Sequence, residues 1–191
     1  MRRYVEHTFL KAMEILKDCG ITDEERCRHG ISLFEKAELR LGKGIPYNES
    51  ACILHMPQKI NDKYDFDRVT IQIGWHQDER VWKYTMYHEL AHLISIGYLQ
   101  EKDNLYFYRP WGVCRTIYRI EQGCMVQQVE QMYYESNEAL NECLACFLYE
   151  MIEGESPLMR FLLKRGEWAG MDRDSMLTQY IKNDTQLMQV I

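Results

Sequence analysis

Apolar residues recur at helical spacing through Val5, Phe9, Leu10, Met13, Ile15 and Leu16, and Gly20 closes the stretch. The pattern predicts a helix over about 5–18. Thr22-Asp23-Glu24-Glu25 has the form of a capping box. It opens a second predicted helix, carried by Ile31, Leu33, Phe34, Ala37 and Leu41 as far as Gly42 and Gly44. Gly44-Ile45-Pro46-Tyr47-Asn48 reads as a turn. Two strands are expected next, Ala51-Cys52-Ile53-Leu54 and the alternating run from Arg68 to Ile73, which puts Val69, Ile71 and Ile73 on one face and ends at Gly74. From about Asp78 to Ile96 the residues fit a helix that is apolar on most of its circumference, hence buried on most sides, with Gly97 as its stop. Residues 104–120 are dense in aromatics and read as a loop or hairpin. A helix is expected over about 124–152, with a break near Ser136. Ser156-Pro157 opens another to about Arg165, and Asp172–Ile181 reads as the last. This order predicts an α+β fold with a small antiparallel sheet and extra helices at both ends.

Composition narrows the class. The 191 residues suit one domain over 1–191, with N-terminal helices to about 44, a core over 45–152 and a helical extension over 153–191. A net charge of −6 argues against a surface for direct nucleic-acid binding. No run of about 18 apolar residues exists, so no membrane span is expected. The first residues lack the apolar core of a signal peptide. Seven cysteines, an odd number without scaffold spacing, fit free thiols in a reducing cytoplasm. The pair Cys143 and Cys146, on an apolar helix face, reads as small core residues.

The candidate chemistry lies in Tyr87-His88-Glu89-Leu90-Ala91-His92-Leu93-Ile94. A His-Glu-x-x-His pattern arises by chance in roughly one chain in a hundred of this length, so its setting decides. Here three titratable side chains sit in an otherwise apolar helix, where each is costly without a partner. Residues four apart share a helix face, so His88 and His92 can reach one metal ion, with Glu89 as the base beside it. A catalytic zinc site commonly takes a third protein ligand from another element. The segment Glu135–Leu148 is the best source. Its expected core face is Leu140, Cys143, Leu144, Phe147 and Met151. Glu138, Glu142 and Ala145 share the neighbouring face, and small Ala145 permits close approach of the metal helix. Glu138 is the expected ligand, with Glu135 and Glu142 as rivals, and the unused carboxylate is free to orient a ligand from behind.

At these residues the chain resembles the ImmA/IrrE-type metallopeptidases, a gluzincin group. The resemblance rests on His88-Glu89-Leu90-Ala91-His92-Leu93 followed by Glu138-Ala139-Leu140-Asn141-Glu142-Cys143-Leu144-Ala145-Cys146-Phe147-Leu148. The family pattern places its ligand glutamate on Glu138, its phenylalanine–alanine pair on Leu144-Ala145 and its last leucine on Leu148. Where the family has Glu-Ala-Asn this chain has Leu140-Asn141-Glu142, so Glu142 takes the asparagine's supporting position. The interval from His92 to Glu138 is long for the family, and the aromatic segment accounts for it. The resemblance covers about 30–150 and implies a zincin-like core with one Zn2+ per chain. It implies a cytoplasmic zinc endopeptidase acting on a protein or peptide, such as a transcriptional repressor. The alternatives are a toxin-type protease and a metal-bearing regulatory or binding scaffold without proteolysis. It also implies that the strand at 69–73 pairs with an extended substrate, and that a hydroxyl or imidazole steadies the oxyanion. Tyr84, Tyr106, Tyr108, Tyr118 and His76 are the candidates. The aromatic segment 105–118 would serve as substrate wall or lid, or as a cover for the core.

Overall fold

The computed structural model describes residues 1–110, 114–130, 132 and 134–154. It is mixed α+β: among the described residues there are four α-helices and three small sheets. The helices expected near 156–165 and 172–181 lie outside the described residues.

Helix α1 (Arg2–Asp18) buries Val5, Phe9, Ala12, Met13 and Leu16. Helix α2 (Glu24–Lys36) opens where the capping pattern placed it, one residue later than a Thr22 cap would. The Asp23 carboxylate accepts the Arg26 amide at 2.8 Å, so Asp23 and not Thr22 is the cap. The stacked rings of Phe9 and Phe34, 4.2 Å apart, join the two helices.

The second helix does not run to Gly42. It stops at Lys36, Ala37 turns extended, and β1 (Glu38–Pro46) follows. Leu39 and Leu41 alternate with polar neighbours at a period of two, and a parallel partner strand turned that ambiguity into a strand. After a short 3₁₀ turn (Tyr47–Glu49) come β2 (Ala51–Leu54), the β3/β4 hairpin (Gln58–Ile60 and Lys63–Asp65) and β5 (Val69–Trp75). The first sheet has the order β1-β5-β2 and is mixed: β1 runs parallel to β5 and β2 antiparallel. The two strands expected here do pair antiparallel, but the unexpected β1 adds in parallel, so the sheet is mixed and β5 is its central strand.

Helix α3 (Glu79–Ser95) leaves the end of β5. Asp78 caps it through the Arg80 amide at 3.0 Å, and His76 Nδ1 accepts the Asp78 amide at 3.0 Å. It is buried nearly all round, by Trp82, Met86, Leu90, Leu93 and Ile94 among others. A second, antiparallel sheet follows: β6 (Gln100–Lys102), β7 (Leu105–Tyr108), β8 (Thr116–Glu121) and β9 (Cys124–Val129). A helix from 124 was expected, and β9 replaces its first part. The pair Gln122-Gly123 has positive φ at both residues, as do Asn61-Asp62 and Asp103-Asn104. Each pair forms the two-residue loop of a hairpin, the turn whose twist matches paired strands.

Helix α4 (Tyr134–Glu153) continues through Ser136 without the expected break. Its burial is rotated from the expected core face. Met151 is exposed, whereas Asn137, Asn141, Glu142, Ala145, Cys146, Leu148 and Tyr149 are buried. Residues 84, 88 and 92 of α3 meet 146, 142 and 138 of α4, so the two helices pack antiparallel. All seven cysteines are free. No described helix is long and apolar enough to cross a membrane.

Candidate metal centre

Antiparallel packing of α3 on α4 brings three donors to one point. His88 Nε2 and His92 Nε2 are 3.0 Å apart, and Glu138 Oε2 lies 3.1 Å from His92 Nε2 and 3.5 Å from His88 Nε2. Ligands held about 2.1 Å from a tetrahedral zinc ion stand about 3.4 Å from one another. The observed spacings bracket that value, so the donor set fits such an ion without rearrangement. Among the described residues this is the one group of three potential ligands that converges.

Both imidazoles are held from behind. His88 Nδ1 lies 2.7 Å from Glu142 Oε2, and His92 Nδ1 lies 3.0 Å from Asn141 Nδ2. An imidazole that ligates through Nε2 carries its proton on Nδ1 and donates it to an oxygen. Glu142 accepts that proton at His88, and Asn141 accepts it at His92 once its amide oxygen rather than its nitrogen is turned to Nδ1, an interchange of the two amide ends that leaves the side chain in place. Glu142 thus takes the supporting position assigned to it rather than that of a ligand. Asn141 was missed as a support, although it shares Glu138's helix face three residues on. Of the Glu135 side chain nothing is described.

Burial and hydrogen bonding set the charge states of these donors. Burial disfavours a charged His88, yet hydrogen bonding to Glu138 and Glu142 raises its pKa to about 10. Burial keeps His92 below its usual value. Burial also opposes ionisation of Glu138, but the two imidazoles hold its carboxyl well below the usual range. The Glu138 carboxylate is thus ionised and buried beside two imidazoles, which is the charge state a cation at this point requires of it.

Glu89 opens into the same cavity. It is buried, which pushes its pKa up to about 7, and the Cys52 backbone amide is hydrogen-bonded to its carboxylate. The cavity measures about 390 Å³ and lies between β2, the α3/α4 ligands and the inner face of the second sheet. The aromatic segment is therefore a wall, through Tyr108, Thr116 and Tyr118, and also part of the core, where Tyr108 meets Phe66 edge-on at 4.9 Å. Residues 111–113 of that segment are outside the described residues.

The proposed oxyanion residues separate clearly. Tyr108 and Tyr118 line the cavity. Tyr84 does not. It is buried behind the metal helix, where its hydroxyl is 3.4 Å from Cys146 Sγ and is also bonded to Glu142, so it braces the support of His88. Tyr106 packs against Tyr64 on the second sheet, and His76 starts α3. Neither is part of the cavity wall. Arg115 and Glu130 do line it and were not anticipated, because nothing in their local sequence marks them.

The strand expected to receive substrate also changes. Both edges of β5 are taken, by β1 and β2. The edge beside the cavity belongs to β2. The His55 amide bonds back to Arg68 on the β5 side at 3.2 Å, so by alternation the amides of Cys52 and Leu54 face away from β5.

No family model, no curated protein and no solved structure matches this chain.

Proposed function

We propose that this chain is a zinc-dependent endopeptidase with a zincin-like core, acting on an extended segment of a protein such as a repressor. The observation that carries the reading is the placement of the buried Glu89 carboxylate in the same cavity as a tetrahedrally spaced His88/His92/Glu138 donor set, beside the outer edge of β2. Two imidazoles and one carboxylate suit zinc among the common divalent ions, since magnesium and calcium favour all-oxygen shells. When bound, zinc supplies a Lewis acid for the scissile carbonyl and makes water acidic enough to attack near neutral pH.

The chain's own residues supply the rest. Glu89 accepts the proton of the attacking water and passes it to the leaving amine. A carboxyl whose burial opposes ionisation takes up a proton more readily than an exposed one, which suits it to both steps. Glu142 and Asn141 hold the two imidazoles with their Nε2 atoms inward. The outward amide of Leu54 offers an edge to which an extended peptide adds as a further strand. The cavity is large enough for a few residues and not for a folded domain.

The test is metal analysis and a cleavage screen with wild type and Glu89→Gln. The reading expects about one zinc per chain in both and cleavage by wild type alone. Equal zinc loss in both would contradict the separate roles of base and ligands. Bound zinc with no cleavage of any peptide would favour a metal-bearing scaffold instead.

A further inference from the structure

The cavity walls carry three carboxylates, Glu89, Glu130 and Glu138, and a reaction that builds negative charge on a carbonyl oxygen is unfavourable beside them. Among the described residues that line the cavity, Arg115 is the one lysine or arginine. Its backbone is pinned on both sides. The Arg115 amide donates to the Tyr108 carbonyl at 2.9 Å, and its carbonyl accepts the Met132 amide at 2.7 Å. The first bond ties it to the end of β7, the second to the segment that enters α4 and carries Glu138. Its side chain is therefore presented from a base tied to the same framework as the ligands.

Arg115 immediately precedes β8, and its amide is paired with Tyr108 of β7. Tyr108, Thr116 and Tyr118 line the same cavity, so Arg115 belongs to the aromatic wall contributed by the second sheet, whereas Glu89 lies on α3. Water activated by Glu89 attacks a carbonyl carbon from one side, and the oxygen of that carbonyl develops its charge on the side away from the base. Tyrosine hydroxyls offer a neutral dipole there, whereas a guanidinium offers a permanent charge and several donors in a fixed fork.

We infer that Arg115 is a catalytic residue, the cation that binds the developing oxyanion of the peptide substrate, with Tyr108 and Tyr118 as the wall that excludes water around it. This rests on the peptidase reading above and extends it to the transition state. A guanidinium in that place is worth more in the transition state than in the ground state, so its loss falls on kcat rather than KM.

The experiment compares wild type, Arg115→Lys and Arg115→Gln in the full chain, loaded with zinc, on a quenched-fluorescent peptide drawn from a random library by wild-type cleavage. Zinc content and thermal melting check that the variants are folded. Removal of one oxyanion donor costs about 10²–10³ in kcat. Arg115→Gln is expected to lose that much with KM changed less than about threefold, and Arg115→Lys to recover part of it. The same variants are titrated with a phosphonamidate dipeptide, a tetrahedral anion, whose binding Arg115→Gln should weaken at least about tenfold. A raised KM with unchanged kcat would make Arg115 a ground-state substrate contact and overturn the inference. Wild-type kinetics in Arg115→Gln would overturn it too, leaving the peptidase reading intact. A wild type that holds zinc yet neither cleaves any peptide nor binds the phosphonamidate would remove the peptidase reading, and this inference with it.

Discussion

At the scale of single residues, the centre depends as much on what stands behind the donors as on the donors themselves. His88→Ala or Glu138→Ala removes a ligand and should abolish tight zinc binding. Asn141→Ala and Glu142→Gln leave all three ligands in place but release an imidazole from its partner. Loss of such a partner typically costs 10–100-fold in metal affinity. Competition with a chromophoric chelator should show that loss in both variants, with no change in fold by circular dichroism. Glu142 has a second bond, from Tyr84, so Tyr84→Phe should give a smaller loss in the same assay. An affinity unchanged by Asn141→Ala would mean that His92 is oriented by packing alone.

At the scale of elements, three helices meet on one carboxylate. Glu153, at the end of α4, accepts hydrogen bonds from Tyr4 of α1 at 2.7 Å and Tyr87 of α3 at 2.9 Å, and pairs with Lys83 at 2.8 Å. Burial opposes its ionisation, but these donors hold its pKa below the usual carboxylate value. Glu153→Gln should therefore destabilise the protein by about 1–3 kcal/mol at neutral pH. A folded-state pKa below the unfolded one means that the stabilisation is present above the unfolded value and is lost as pH falls through the folded one. The gap between wild type and Glu153→Gln in urea unfolding should thus narrow below about pH 4.5. A gap independent of pH would locate the effect in packing. The β2 edge gives a second test at this scale. Leu54→Pro removes an amide that makes no bond to β5. It should raise KM for peptides while zinc binding and kcat change little.

At the scale of the whole molecule, the centre joins two helices that are far apart in sequence and packed only by tertiary contact. Metal binding to a site that the unfolded chain lacks adds stability by mass action. At free zinc about one hundredfold above Kd this is about 2.7 kcal/mol. For a chain of this size that corresponds to roughly 5–10 °C in Tm. Chelation should lower the melting temperature by that amount, and Glu138→Ala should show no response to zinc or chelator. An equal response in Glu138→Ala would place the bound metal elsewhere.

Some of this was legible in the chain alone, for local reasons. The His88/His92 spacing is a property of one helix, and so are the burial of that helix and the presence of Glu89 between the ligands. Alternation in Val69, Ile71 and Ile73 marked β5, and the apolar spacing of α1 needed no partner to be read. Glu138 followed from a resemblance and from the short reach of a helix face. Other features were undecidable locally. The stretch 38–46 is poor helix and poor strand by pattern, and pairing with β5 chose the strand. The residues at 124–129 became β9 because Gln122-Gly123 turned the chain back onto β8. Which strand edge faces the site depended on the order β1-β5-β2. Arg115 and Asn141 acquired roles only once distant segments were brought together. Local pattern alone marked His88, His92 and the Glu89 between them, because their relation depends on spacing within about one helical turn. Tertiary structure decided what surrounds them, because the cavity is built from strands and helices whose contacts no local pattern encodes.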